Sequence, residues 1–135
     1  MRLMGIDYGE KRIGVAITDE RCIIASPLAV INRIDDGLKS VADLIDYYRI
    51  SRVVVGLPLN MDGSEGPKAG ESREFAGKLK SATETEVELW DERLTTAEVE
   101  KLMISFDMSR AKRRKKRDSL SACVILKTYM EAHGL

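Results

Sequence analysis

The stretch RLMGIDYGEKRIGVAIT, Arg2 to Thr18, decides the fold. Two short apolar runs rich in branched residues flank YGEK, which predicts a β-hairpin with strands over 2–7 and 12–18 and Gly9 in the turn. Asp7 stands where the first apolar run gives way to glycine. A buried ionised carboxylate costs several kcal/mol unless it is paired or faces a cation. Asp7 therefore reads either as a turn aspartate or as part of a site.

Working outward, CIIASPLAVI continues as a third strand, with Pro27 requiring an edge position or a bulge. Leu38, Val41, Ile45 and Tyr48 then fall at helical spacing, with Asp35 or Asp36 as the cap. RVVVGLP is a continuous apolar run suited to a central strand covered on both faces. PLNMDGSEGPKAGES reads as a long mobile loop, REFAGKLKSA as a helix and EVELWDE as a further strand. LTTAEVEKLM carries a capping box, Thr95 with Glu98, a staple of Leu94 on Val99, and a stripe of Val99, Leu102, Met103 and Phe106. A last helix shows its stripe at Ala122, Ile125, Leu126, Tyr129 and Met130. The predicted order is β-β-β-α-β-α-β-α-α, an α/β fold with a mixed five-stranded sheet, antiparallel first and parallel later.

Composition narrows the chemistry. The chain has 135 residues, 44% of them hydrophobic and 33% charged, which fits one globular domain over 1–135. No apolar run approaches the roughly 20 residues of a membrane span, and MRLMGIDYGEKRIG lacks the apolar segment of a signal peptide, so a cytoplasmic setting is expected. Cys22 and Cys123 lie far apart in apolar surroundings and read as reduced core thiols. The single histidine, His133, lies two residues from the end. Zinc clusters and Ser-His-Asp catalysis are thereby disfavoured, leaving carboxylates, lysines or a hard metal ion. GEKRIG has a phosphate-loop frame, but Val15 and Ala16 stand where Lys and Ser/Thr are needed, and no G-x-G-x-x-G occurs.

Three carboxylate positions remain: Asp7, the Asp91-Glu92 pair, and Asp118, in the first turn of the last helix on its sheet-facing side. If the two strands are neighbours, these converge at one end of the sheet. Such a cluster repels itself unless divalent cations lie between the oxygens, and oxygen-only ligation favours Mg²⁺ or Mn²⁺. Two such ions activate water and stabilise a leaving oxygen in phosphodiester cleavage. Each residue also has a plain reading: Asp118 as a helix N-cap, Asp91-Glu92 as a surface turn, Asp7 as a turn residue.

The net charge is zero, yet RAKRRKKR, Arg110 to Arg117, holds seven basic residues among eight, so the rest of the chain carries −7. Arg113, Arg114, Lys115, Lys116 and Arg117 form either a solvated face or arm, or a phosphate attractor beside Asp118. Few aromatic residues interleave with them, so backbone charge outweighs base stacking. Arg93, Lys11 and Arg12 invite the same two readings, surface ion pair or phosphate clamp. Trp90 and Tyr129 read as core.

Together, GIDYGEKRIGVAITD, VVVGLPLNMDGSEG, LWDERLTTAEVE and DSLSACVILKTYM resemble the YqgF/RuvX family, described as Holliday junction resolvase-like and as pre-16S rRNA nuclease, through essentially the whole chain. The resemblance implies an RNase H-like fold and three acidic positions: Asp7, the carboxylate of DER, and Asp118. Within DER, similarity to the wider resolvase family favours Glu92, whereas the pleat sets Asp91 with Val87 and Leu89. Asn60 of the second motif joins Lys11, Arg12 and Arg93 as a nucleic-acid contact.

The function expected is a metal-dependent nuclease on structured nucleic acid, maturing the 5′ end of the 16S rRNA precursor and in contact with the ribosome. Branched DNA is the alternative substrate, and cutting two strands symmetrically would favour a homodimer over a monomer. Two other classes compete: a non-catalytic nucleic-acid or ribosome-associated binding factor, and an actin-like phosphotransferase, which needs two lobes where this chain supplies one.

Overall fold

The structure, a computed structural model, describes residues 1–92 and 110–135, with side chains described at 1–92 and 119–135. Strands β1 (Leu3–Tyr8), β2 (Arg12–Thr18) and β3 (Ala25–Asn32) form an antiparallel meander. A 3₁₀ turn (Ile34–Gly37) leads into helix α1 (Leu38–Tyr48), followed by β4 (Arg52–Leu57), α2 (Pro67–Ala82), β5 (Glu86–Asp91) and α3 (Arg110–Ala132). The sheet order is β3-β2-β1-β4-β5, with β4 parallel to both β1 and β5.

Helices cover both faces, which is why the central strands read as unbroken apolar runs. Met4, Ile6, Val53 and Val55 face α1 and α2, meeting Val41, Ile45, Phe75 and Leu79. The alternate residues Leu3, Ala16 and Val54 face α3, meeting Ala122, Ile125, Leu126 and Tyr129. Pro27 meets both of its conditions: β3 is an edge strand, and the β2–β3 register shifts between Val15 and Ala16, opposite Pro27. The N-cap of α1 is Gly37, in the left-handed region, not Asp35 or Asp36; Asp36 stands one residue earlier, its Oδ1 accepting the Leu38 N–H at 3.1 Å. Cys22 and Cys123 are buried free thiols. Trp90 packs edge-on to the fully buried Tyr129 and donates from Nε1 to Thr128 Oγ1 at 3.0 Å.

Three other expectations are corrected. The helix read from Arg73 begins at Pro67, because proline at the first helical position needs no N–H partner and starts the helix inside the apparent loop. The remaining loop is tied together, with Asn60 N–H donating to the Ser64 carbonyl at 2.9 Å and Gly63 N–H to the Asn60 carbonyl at 2.8 Å. The last helix begins at Arg110, so the basic run is helical and Asp118 lies in the third turn and not in the first. The capping box, staple and stripe read over 94–106 lie outside the described residues.

Helix α3 lies very close on β1. A Cβ at Gly5 would stand 2.7 Å from the Ala122 carbonyl oxygen and 3.0 Å from Leu126 Cβ, both unyielding neighbours. Gly5→Ala is therefore expected to destabilise the protein by about 1–3 kcal/mol in urea unfolding. An unchanged midpoint would show that the helix can retreat without loss.

Candidate active site

Asp7 and Glu92 reach the same place from strands that are not neighbours. β4 lies between β1 and β5, so the condition of neighbouring strands is not met. Their meeting depends on Gly56. A Cβ there would fall 2.5 Å from Glu92 Oε2 and 2.5 Å from Ile125 Cδ1. The Glu92 carboxylate thus lies across the bare backbone of β4, under α3.

The strand pleat puts Asp7 on that same face. Gly5 faces α3, and Asp7 follows it by two residues. Glu92 stays in strand parity because its N–H donates to the Leu57 carbonyl at 3.2 Å, one step past the end of β5. Asp91 therefore points to the opposite face, with Val87 and Leu89, and is exposed. The pleat alone left the choice between Asp91 and Glu92 open. Both faces are apolar, and Asp7 lies on the one that carries Trp90 and Glu92.

Position 118 belongs to this end of the sheet by helix register. Ala122 and Leu126 flank Gly5, while Tyr129 receives a hydrogen bond from Arg52 at the start of β4. Helix α3 hence runs antiparallel to β1, and residue 118 stands one turn, about 6 Å, before Ala122 on the side toward Asp7. Its side chain lies outside those described. Among the described residues, no three His, Cys, Asp or Glu side chains form a ready metal cage.

Electrostatics at this end of the sheet suit a cation. Burial, with the Asp7 and Asp91 charges nearby, pushes the Glu92 carboxyl from 4.5 up to about 8. An all-oxygen pair that repels itself in a half-buried setting suits Mg²⁺ or Mn²⁺. Asp7, Glu92, Tyr8 and Gly9 line a cleft of about 460 Å³, closed on the far side by Pro58, Pro67, Lys68 and Glu71.

The expected phosphate contacts are dispersed. Lys11 and Arg12 are exposed on the turn beside Gly9 and Glu10 at the cleft rim. Asn60 donates from Nδ2 to Ser64 Oγ at 2.9 Å, so it shapes the loop. Arg113, Arg114, Lys115, Lys116 and Arg117 occupy the early turns of α3, and Arg93 lies outside the described residues. Sequence reading missed Lys68, a cation lining the cleft. The Gly66-Pro67 pair, a helix-start signal, would have placed it.

This sheet, with helices on both faces and acidic residues at its open end, defines an RNase H-like fold of the resolvase type. Thermus thermophilus RuvC, solved with a Holliday junction substrate, superposes with a TM-score of 0.64 at 15% identity, covering 99% of this chain and 97% of that one. The fowlpox virus Holliday junction resolvase gives 0.62 at 17% identity, covering 98% and 99%. The chain belongs to the RuvX family, described as Holliday junction resolvase, whose model matches residues 1–132. A Desulforudis audaxviator protein named "Putative pre-16S rRNA nuclease" is 46% identical over 134 residues, covering 98% of this chain and 95% of its own. A Geobacillus kaustophilus protein of the same name is 44% identical over 136 residues, covering 98% and 99%.

The raised Glu92 carboxyl sets a pH signature. A group whose folded value exceeds its unfolded one contributes stability that is complete below the unfolded value and lost as pH rises through the folded one. In chelator, the melting temperature of wild type relative to Glu92→Gln should fall between pH 4.5 and about 8. The two should match most closely at pH 4. A difference independent of pH would contradict the burial of this carboxylate beside Asp7.

Proposed function

We propose that this protein is a divalent-metal-dependent nuclease that cleaves phosphodiester bonds in structured nucleic acid, with the 5′ end of the 16S rRNA precursor as its substrate. One observation carries the reading: Glu92 crosses the bare backbone of Gly56 onto the face that bears Asp7. A carboxylate drawn out of water beside a second acid, with oxygen ligands only, is a setting that suits a hard divalent cation. The names of the relatives supply the substrate.

Asp7, Glu92 and Asp118 hold Mg²⁺ or Mn²⁺, with Asp91 on the outer side of the strand end. When bound there, such ions would supply Lewis-acid activation of water and charge neutralisation at the leaving oxygen. The protein's own part is placement. The sheet fixes Asp7 and Glu92, and the helix register brings position 118 to the same end. Lys11, Arg12, Arg93 and the basic turns of α3 draw the phosphate backbone toward the cleft, where Lys68 adds a cation. Contacts to phosphate select shape over sequence. The enzyme acts in the cytoplasm, on precursor RNA at the ribosome, as one domain over 1–135 that is a monomer or a homodimer. Among the described residues no helix is long and apolar enough to cross a membrane.

Junction resolution is the second reading, favoured by the description of the family model. Both readings share the carboxylates and part on substrate. In Mg²⁺ or Mn²⁺ at moderate salt, wild type is expected to cut an RNA spanning the 16S precursor end and to leave a four-way DNA junction intact. Asp7→Asn should lower the rate at least about 100-fold while keeping the fold, since metal-borne charge stabilisation is worth several kcal/mol. Cleavage of the junction alone would establish the resolvase. Metal-independent binding without cleavage of either would establish a binding factor.

A further inference from the structure

β1 loses half of its support where it matters. It pairs with β4 only from Leu3 to Ile6, whereas its pairing with β2 continues through Asp7 and Tyr8. Asp7 is thus held by one ladder while facing the charge of Glu92. Something else must keep the strand end from swinging away.

Arg33, directly after β3, does this from across the turn. Its backbone N–H donates to the Lys11 carbonyl at 3.0 Å. Its guanidinium donates to the Gly9 carbonyl at 2.7 Å and to the Glu10 carbonyl at 3.0 Å. All three consecutive carbonyls of the turn therefore accept from one residue. The guanidinium carbon also lies 4.1 Å from the centre of the Tyr8 ring, which stacks on Phe75 at 4.3 Å. Glu71 of α2 stands 3.9 Å behind it. The side chain is only 19% exposed, so Arg33 is built into the turn rather than displayed to a ligand.

We propose that Arg33 is a positioning residue for metal binding: by clamping the turn after Tyr8, it fixes the direction of the Asp7 carboxylate. The inference rests on the reading of Asp7 as a metal-holding residue. Geometry explains why arginine is needed. One nitrogen, Nη1, donates to both carbonyls while the guanidinium carbon lies 4.1 Å over the Tyr8 ring, and the compact, strongly hydrated ammonium of a lysine does not reproduce that combination.

The test is Mn²⁺ binding by calorimetry without substrate, beside thermal melting and the Mg²⁺ dependence of RNA cleavage. Arg33→Lys should remain folded and bind Mn²⁺ about 3-fold more weakly, and Arg33→Ala about 10-fold or more, in the range seen when an outer support of a metal site is lost. The Mg²⁺ needed for half-maximal cleavage should rise in parallel. Arg52→Ala serves as the control for general loosening, since it breaks the bonds to Glu86 and Tyr129 at the far end of the sheet. It should lower the melting temperature and leave Mn²⁺ affinity alone. Wild-type affinity in Arg33→Lys, or an equal loss in Arg52→Ala, overturns the inference while a weakened Asp7→Asn leaves the metal reading standing. Wild-type affinity in Asp7→Asn overturns that reading, and the inference with it.

Discussion

The site depends on an absent side chain. Gly56 sits in the middle strand of three, and only its bare backbone lets the Glu92 carboxylate lie across β4 toward Asp7. A methyl group there would strike both the carboxylate and Ile125, pushing apart the acid and the helix that covers it. The same device recurs at Gly5, where α3 comes down onto β1. Two glycines on one sheet face thus settle how near α3 lies and which acidic residues it covers.

That closeness has an electrostatic consequence. Glu92 is drawn out of water beside Asp7, and its carboxyl is held far above its ordinary range. The strand end and turn that carry Asp7 are meanwhile bound by Arg33 through three carbonyls and the Tyr8 ring. Held so firmly, like charges cannot relax apart. On the proposed reading a divalent cation would relieve the conflict, and a pair already held in place would bind one without first rearranging.

Much of this was legible in the sequence, for physical reasons that differ by element. β2 was bounded correctly because its apolar run is bracketed by a glycine turn and an acidic break. The edge position of β3 followed from the missing N–H of Pro27. The start of α2 was not read, because Gly, Pro and Ser around Pro67 resemble a loop until proline is recognised as a helix opener. Asp118 was placed in the first turn of the last helix because the apolar stripe begins only after it. The preceding turns are all cationic, against both mutual repulsion and the helix dipole. A helix that opens on such a run breaks a local rule, the kind of departure found at functional sites. Nor did the sequence reveal that β4 intervenes between β1 and β5. Convergence across a middle strand depends on one glycine, and no periodicity marks it.

The most direct measurement is a crystal structure of the wild-type protein soaked with Mn²⁺ and recorded at a wavelength where manganese scatters anomalously. The account predicts an anomalous peak bounded by the carboxylates of Asp7 and Glu92, at the end of the sheet toward which position 118 turns. Manganese bound elsewhere, with Asp7 and Glu92 joined only to protein groups, would contradict it.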